Sequence, residues 1–335
     1  MDEIKEQIKD KNNLKFVGKG QFGVVYKLVY QGKEFAIKKI SKELIKTYNG
    51  GSLIAYLEKA VQQEVNILRK MSEYENSVRF YGYYDDEEDH ILILEFCETD
   101  LGHLLQKKKK FSSSEILTIM EGLNKPFKYM HNNGIVHRDI KPDNILIKFV
   151  DSSKTNYIPK IGDYGISKEL DNGKTGTTLG SGVYMAPEIF GIEYDDKCDL
   201  FSIGVMIYYL YFNSFPFRQA NNSEEAKEYY NKKKKEDCED KLLDDLINKL
   251  LKYDPDERIE WDDYFNHPFF TQKKLEDLTN KVDNLKIYDE KEHQIINFYD
   301  YNLDLMIGLS NYIVITPKIN ITIDECLKLY NKLEF

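Results

Sequence analysis

The sequence predicts an α+β protein of two lobes, a strand-rich one followed by a larger helical one. Three observations carry that prediction. Short apolar runs separated by glycine-bearing turns fill residues 14–96. Three- and four-residue apolar spacing takes over after Cys97. The chain has 335 residues, more than one minimal core needs. Residues 1–13 read as an N-terminal extension, 14–96 as the first lobe, 97–270 as the second, and 271–335 as a helical tail.

In the first lobe, Phe16-Val17, residues 24–30 and residues 35–40 are strand-like, separated by glycine turns at 18–23 and at Gln31-Gly32. One helix interrupts them at 56–71, where Leu57, Val61, Val65 and Leu68 recur on one face. Strands return at 78–84 and 91–96, joined by the acidic loop 85–89. In the second lobe Ser112 and Glu115 form a capping box, opening a helix that stops at Asn133-Gly134. Further helices are expected at 196–212, 240–251 and 261–265. Polar inserts at 150–157 and 221–240 read as mobile.

A net charge of −10 argues against a nucleic-acid binder, which needs a basic surface to displace counterions. The longest apolar run, 200–212, is too short to span a bilayer, so no membrane insertion is expected. Residues 1–13 alternate charges without an apolar core, so no secretory signal is expected there. Cys97, Cys198, Cys238 and Cys326 lie far apart and read as reduced thiols. Together these point to the cytoplasm, with the nucleus as the alternative.

The chemistry-bearing residues come in sequence order. Gly18-x-Gly20-x-x-Gly23 alone is weak evidence, because dinucleotide-binding folds use the same spacing before a helix. Here Val24 to Val29 continue as a β-branched strand, which suits a glycine-rich hairpin whose backbone can approach phosphates. Ala36-Ile37-Lys38 follows, with Phe35 and Ile37 on one strand face and Ala36 and Lys38 on the other. A half-buried lysine needs an anion, and Glu64 on the 56–71 helix is the candidate. After the helix stop comes His137-Arg138-Asp139-Ile140-Lys141-Pro142-Asp143-Asn144. In one loop, Asp139 can orient a hydroxyl proton, Lys141 can neutralise a moving phosphate, and the Asn144 amide oxygen can bind a hard cation. Asp163-Tyr164-Gly165 at a strand end suits a magnesium ligand.

These elements, with Ala186-Pro187-Glu188 after them, stand in the order found in the eukaryotic protein kinase family, which residues 14–270 resemble. The resemblance implies a bilobal fold with an antiparallel sheet in the N-lobe and a mainly helical C-lobe. It implies ATP and Mg²⁺ as cofactors, with Mn²⁺ as a substitute, and proteins as substrates. Lys38 is then expected on the α- and β-phosphates, paired with Glu64; Asn144 and Asp163 are expected on the metal, and Asp139 at the substrate hydroxyl. Val17, Val25, Ala36 and Leu146 match the plates around the adenine. Leu94 matches the gatekeeper, and Glu95 to Cys97 the hinge. Lys141 and Ser181 match the serine/threonine branch. Asp199, Gly204 and Arg258, the last paired with Glu188, match scaffold positions.

By the same resemblance, Arg138 calls for an anion on the activation segment, with Thr177, Thr178 or Thr175 as the phosphorylated residue. Two departures stand out: Tyr164 replaces the usual phenylalanine, and Gly182 a common proline. The segment 94–97 and the run 264–270 resemble the calcium/calmodulin-dependent and autophagy-initiating branches. Asp100 and Asp143 match positions that meet substrate arginines in basophilic relatives. In the tail, Thr322 and Glu325 form a capping box before an amphipathic stretch, and 275–285 is a second candidate helix. An autoinhibitory or partner-binding tail and a plain helical annex fit equally. A pseudokinase, a nucleotide-binding scaffold without catalysis, is the alternative function, although every catalytic position is kept.

Overall fold

The N-lobe strands pair as their hairpins dictate. The structure, a computed structural model, describes residues 2–19, 23–47, 54–164, 168–169, 182–191, 194–220, 222–232, 236, 238–271, 286–289 and 294–297. Strands β1 (Leu14–Lys19), β2 (Gly23–Tyr30), β3 (Lys33–Ser41), β4 (Phe80–Asp85) and β5 (Asp89–Glu95) form one antiparallel sheet in the order β1-β2-β3-β5-β4. The β2–β3 turn holds Gln31 at φ 49° and Gly32 at φ 75°, the two positive values of a type I′ turn that matches strand twist. Gly23 is obligatory for a different reason. A Cβ there would lie 2.2 Å from the Lys39 carbonyl oxygen of β3.

Strand alternation gives the sheet two chemically distinct faces. Leu28, Phe35, Ile37, Ile91 and Ile93 are buried together on one face, leaving Ala36 and Lys38 for the other. Ile8 completes that apolar cluster. It belongs to helix α1 (Asp2–Lys9), so part of the segment set apart in the sequence as an extension packs into the first lobe's core. Helix α2 (Lys42–Thr47) follows the sheet, and α3 (Ile54–Met71) carries the apolar stripe Val61, Val65 and Leu68, all buried.

The second lobe is built on helices. α4 (Leu101–Lys108) and α5 (Ser113–Asn132) follow the short strand β6 (Thr99–Asp100). The capping box of α5 forms as the sequence requires: Ser112 Oγ accepts from Glu115 N, and a Glu115 carboxylate oxygen accepts from Ser112 N. Helix α6 (Lys197–Phe212) is buried nearly all round, the sign of a helix at the centre of a lobe. Gly204 on α6 permits that burial, because a Cβ there would lie 2.8 Å from Leu250 Cβ of α8 (Lys241–Leu250). Helix α7 (Ser223–Asn231) precedes α8, and α9 (Trp261–Phe265) follows it. Strands β7 (Ile135–Val136) and β10 (Lys168–Glu169) form one short ladder, while β6, β8 (Ile145–Phe149) and β9 (Tyr157–Ile161) form another.

Three segments carry structure that the sequence did not indicate. The insert 150–157 is a hydrogen-bonded loop: Asp151 carboxylate oxygens accept from Asn156 N at 3.0 Å and Thr155 N at 3.3 Å. The insert 221–240 contains α7, capped by Asn222 Oδ1 accepting from Glu225 N. Within the tail 271–335, expected to be helical, Lys286–Asp289 pairs antiparallel with Gln294–Asn297. The helices expected at 275–285 and after Thr322 lie outside the described residues.

Candidate active site

Two clusters of polar side chains meet at the open end of the β8–β9 hairpin. In the first, Lys38 Nζ lies 2.6 Å from Glu64 Oε1 and 3.0 Å from Asp163 Oδ1. Glu64 is 3% exposed, which decides between a solvated helix charge and an inward partner for Lys38. Burial disfavours the ammonium, but the carboxylates of Asp163 and Glu64 outweigh it and raise the Lys38 pKa. Lys38 in turn holds Asp163 below the ordinary carboxylate value. Burial raises Glu64 despite the lysine beside it.

The second cluster lies in the loop before β8. Asp139 Oδ2 accepts from Lys141 Nζ at 2.7 Å and from Asn144 Nδ2 at 2.8 Å, and the Asp139 carbonyl also accepts from Asn144 Nδ2 at 2.8 Å. Gly162 N donates to the Asn144 carbonyl at 3.0 Å, placing Asn144 and Asp163 side by side. The loop hangs from α6: Asp199 Oδ2 and Oδ1 accept from His137 N at 2.7 Å and Arg138 N at 2.8 Å. Burial pushes the Asp199 carboxyl up to about 7, and those two backbone donors oppose it. His137 is buried, which lowers its pKa. Its neutral ring donates from Nε2 to the Gly162 carbonyl at 3.1 Å, and Nδ1 accepts from Asp139 N at 3.3 Å.

Arg138 and Asp163 adopt φ 67° and 56°, the left-handed region that side chains other than glycine disfavour. Strained residues of this kind persist only where their surroundings hold them. Arg138 is 4% exposed, and its Nε and Nη1 meet no hydrogen-bond partner among the described residues.

The residues expected around the adenine lie on two sheets, Val17, Val25, Ala36 and Leu94 on the first and Leu146 on the β6-β8-β9 ladder. Ala36 pairs with Leu94 in the β3–β5 register, and Gly18 pairs with Val25 across a bulge at Val17. Leu146 pairs with Asp100 and Lys160. Val25, Ala36, Leu94 and Leu146 are half-buried, and Val17 is exposed. Burial, with Glu95 close by, pushes the Cys97 thiol up to about 12. Gly20, Gly165, Thr175, Thr177, Thr178 and Ser181 lie outside the described residues.

Sequence reasoning missed the lysines behind the hinge. Lys160 Nζ reaches Glu95 Oε2 at 3.2 Å, and Lys148 Nζ donates to the Phe96 carbonyl at 3.1 Å. Lys148 and Lys160 lie on paired strands, but nothing local marks them as contacts of the segment expected to be the hinge. The expected scaffold pair is present. Arg258 Nη1 and Nη2 donate to Glu188 Oε1 and Oε2 at 2.6 and 3.0 Å.

Residues 12–270 match the protein kinase domain family. The chain is 31% identical over 284 residues to serine/threonine-protein kinase unc-51 of Caenorhabditis elegans, covering 79% of this chain and 32% of that protein. It is 34% identical over 270 residues to calcium-dependent protein kinase 5 of Plasmodium berghei (77% and 45%). It is 31% identical over 274 residues to serine/threonine-protein kinase 33 of Bos taurus (77% and 54%). The chain thus spans about a third to a half of these relatives' length. A family match over most of the chain, on a two-lobed fold that brings Lys38, Glu64 and Asp163 together and holds Asp139, Lys141 and Asn144 in one loop, shows that this chain belongs to the protein kinase family, among relatives named as serine/threonine kinases.

Proposed function

We propose that the chain transfers the γ-phosphoryl group of ATP to serine and threonine hydroxyls of proteins. The observation that carries the reading is the meeting of Lys38–Glu64–Asp163 with Asp139–Lys141–Asn144 at one hairpin end. Phosphoryl transfer asks the protein for positioning and charge stabilisation more than for covalent chemistry. Lys38, fixed by two carboxylates, is a preformed cation for the phosphates. Asp139 orients the incoming hydroxyl, and Lys141 beside it offsets charge on the moving group.

The donor set fits magnesium. Asn144 commits its amide nitrogen to Asp139, which leaves the amide oxygen as the ligand atom. Asp163 spends Oδ1 on Lys38 and has a second carboxylate oxygen. Among the described residues no group of three or more His, Cys, Asp and Glu forms a metal cage. Few protein oxygens completed by phosphate suit Mg²⁺, and Mn²⁺ takes the same donors. The ion, when bound, would neutralise charge on the phosphates. Transfer of labelled phosphate from ATP to a basic protein tests the reading, with Lys38→Met and Asp139→Ala as controls; undiminished transfer by both variants would overturn it.

Arg138 supports regulation by phosphorylation, since a buried guanidinium whose Nε and Nη1 meet no partner among the described residues calls for an anion. Phosphate on Thr177, with Thr178 as the alternative, would supply nearly two negative charges. Thr177→Ala should lower activity about tenfold or more in a preparation whose wild type carries that phosphate. Equal activity, with no phosphate on the loop by mass spectrometry, would place regulation elsewhere.

Asp100 and Asp143 support a preference for basic substrates. A Cβ on Gly102 would lie 3.1 Å from Asp100 Oδ1 and 3.5 Å from Asp143 Cγ, so the two carboxylates flank one spot. A peptide library should show arginine or lysine enriched before the target hydroxyl, and Asp100→Asn with Asp143→Asn should reduce that enrichment. No enrichment with wild type would refute the preference.

A further inference from the structure

Tyr164 follows Asp163 directly, and its side chain is fully buried. A phenol in that position needs a partner, because an orphaned hydroxyl in an apolar site is costly. Its partner is Ser77: the Tyr164 hydroxyl and Ser77 Oγ lie 2.9 Å apart. Burial raises the Tyr164 pKa, so the phenol is neutral and both groups are hydroxyls.

Ser77 is mechanically tied to α3. Three successive backbone bonds lead there from the end of that helix: Ser72 N to the Leu68 carbonyl, Tyr74 N to Met71, and Ser77 N to Tyr74, at 3.0–3.1 Å. The segment then docks along β9. Val78 N donates to the Ile161 carbonyl at 2.9 Å, and Ile161 N to the Asn76 carbonyl at 2.8 Å. The Tyr164–Ser77 bond thus extends a seam joining the exit of α3, the helix of Glu64, to the segment that carries Asp163.

We infer that the Tyr164–Ser77 pair is a positioning latch, which holds the Asp163 segment against the exit of α3 so that Glu64 and Asp163 reach Lys38 together. The latch gives the proposed transfer site a fixed spacing and rests on that reading for its use. Two facts require such a device. Lys38 bridges two carboxylates on separate elements, at 2.6 and 3.0 Å. Asp163 sits at φ 56°, a conformation its surroundings must impose. Lys38 holds its side chain, and Tyr164 holds the backbone on the other side. A phenylalanine at 164 would fill the same apolar space without the tie.

The test uses the full chain as wild type, Ser77→Ala, Tyr164→Phe and the double variant. Amide exchange of residues 76–78 and 161–164 is followed by mass spectrometry, and binding of magnesium–ADP by calorimetry. Ser77→Ala leaves a phenol buried without a partner, so local exchange should quicken about tenfold and affinity fall about tenfold. Tyr164→Phe should have a smaller effect, about threefold, because a serine hydroxyl can turn to backbone. The double variant should resemble Tyr164→Phe, since removing both hydroxyls orphans neither. Exchange in α6 should stay as in wild type.

Wild-type exchange and affinity in both single variants would overturn the latch. So would a double variant showing the product of the single effects, or acceleration spread equally through α6. If Ser77→Ala does not fold, Tyr164→Phe still decides by the same local-against-α6 comparison. The expected exchange pattern in a chain that transfers no phosphate would uphold the latch and reject the catalytic reading.

Discussion

Asp139→Ala should lower kcat for phosphoryl transfer by about 10²–10⁴-fold, the range for losing a positioned proton acceptor. Nucleotide affinity should stay within about threefold of wild type, because in the proposed reading Asp139 serves the hydroxyl rather than the nucleotide. Lys38→Met should behave differently, weakening nucleotide binding and turnover together, since the proposed reading makes Lys38 the cation for the phosphates. Its loss also leaves Glu64 buried without a counter-charge. Calorimetry of nucleotide binding alongside steady-state kinetics separates the two patterns. Turnover retained by Asp139→Ala would remove that carboxylate from the chemistry.

The second large effect is expected on stability. Arg258 has a fully buried side chain, bonded to both Glu188 oxygens and to the carbonyls of Lys197 and Lys252. Arg258→Ala leaves Glu188 and both carbonyls without these donors. Removing one partner of a buried pair costs about 3–5 kcal/mol, well above any exposed pair. For a chain of this size that corresponds to a Tm lower by roughly 10 °C. Arg258→Lys should lie between, because an ammonium keeps the charge and loses the two-pronged fork. A Tm for Arg258→Ala within about 2 °C of wild type would show that the lobe does not depend on this contact.

Several site residues were legible because local periodicity aims side chains. Two-residue alternation along β3 separates Ala36 and Lys38 from Phe35 and Ile37. On α3, Glu64 falls within the buried stripe of Val61, Val65 and Leu68, so a carboxylate there had to find a cation inside. The capping box at Ser112 needed three residues of context and formed as expected. Residues 150–157 and 221–240 hold more local structure than their composition suggests, for a related reason. Polar composition describes what a loop shows to water, while Asp151 and Asn222 spend their side chains on nearby backbone N–H groups.

By itself the sequence determined the two-lobed class, the order of the motifs, and the pairing of Lys38 with Glu64. Spacing of two to five residues sets side-chain directions, and chain stereochemistry enforces them. Only the tertiary structure decided that Tyr164 finds Ser77, 87 residues earlier, that Ile8 closes the sheet's apolar face, and that Lys160 braces Glu95. Such contacts arise where separate elements pack, and periodicity within each element says nothing about the distance between them.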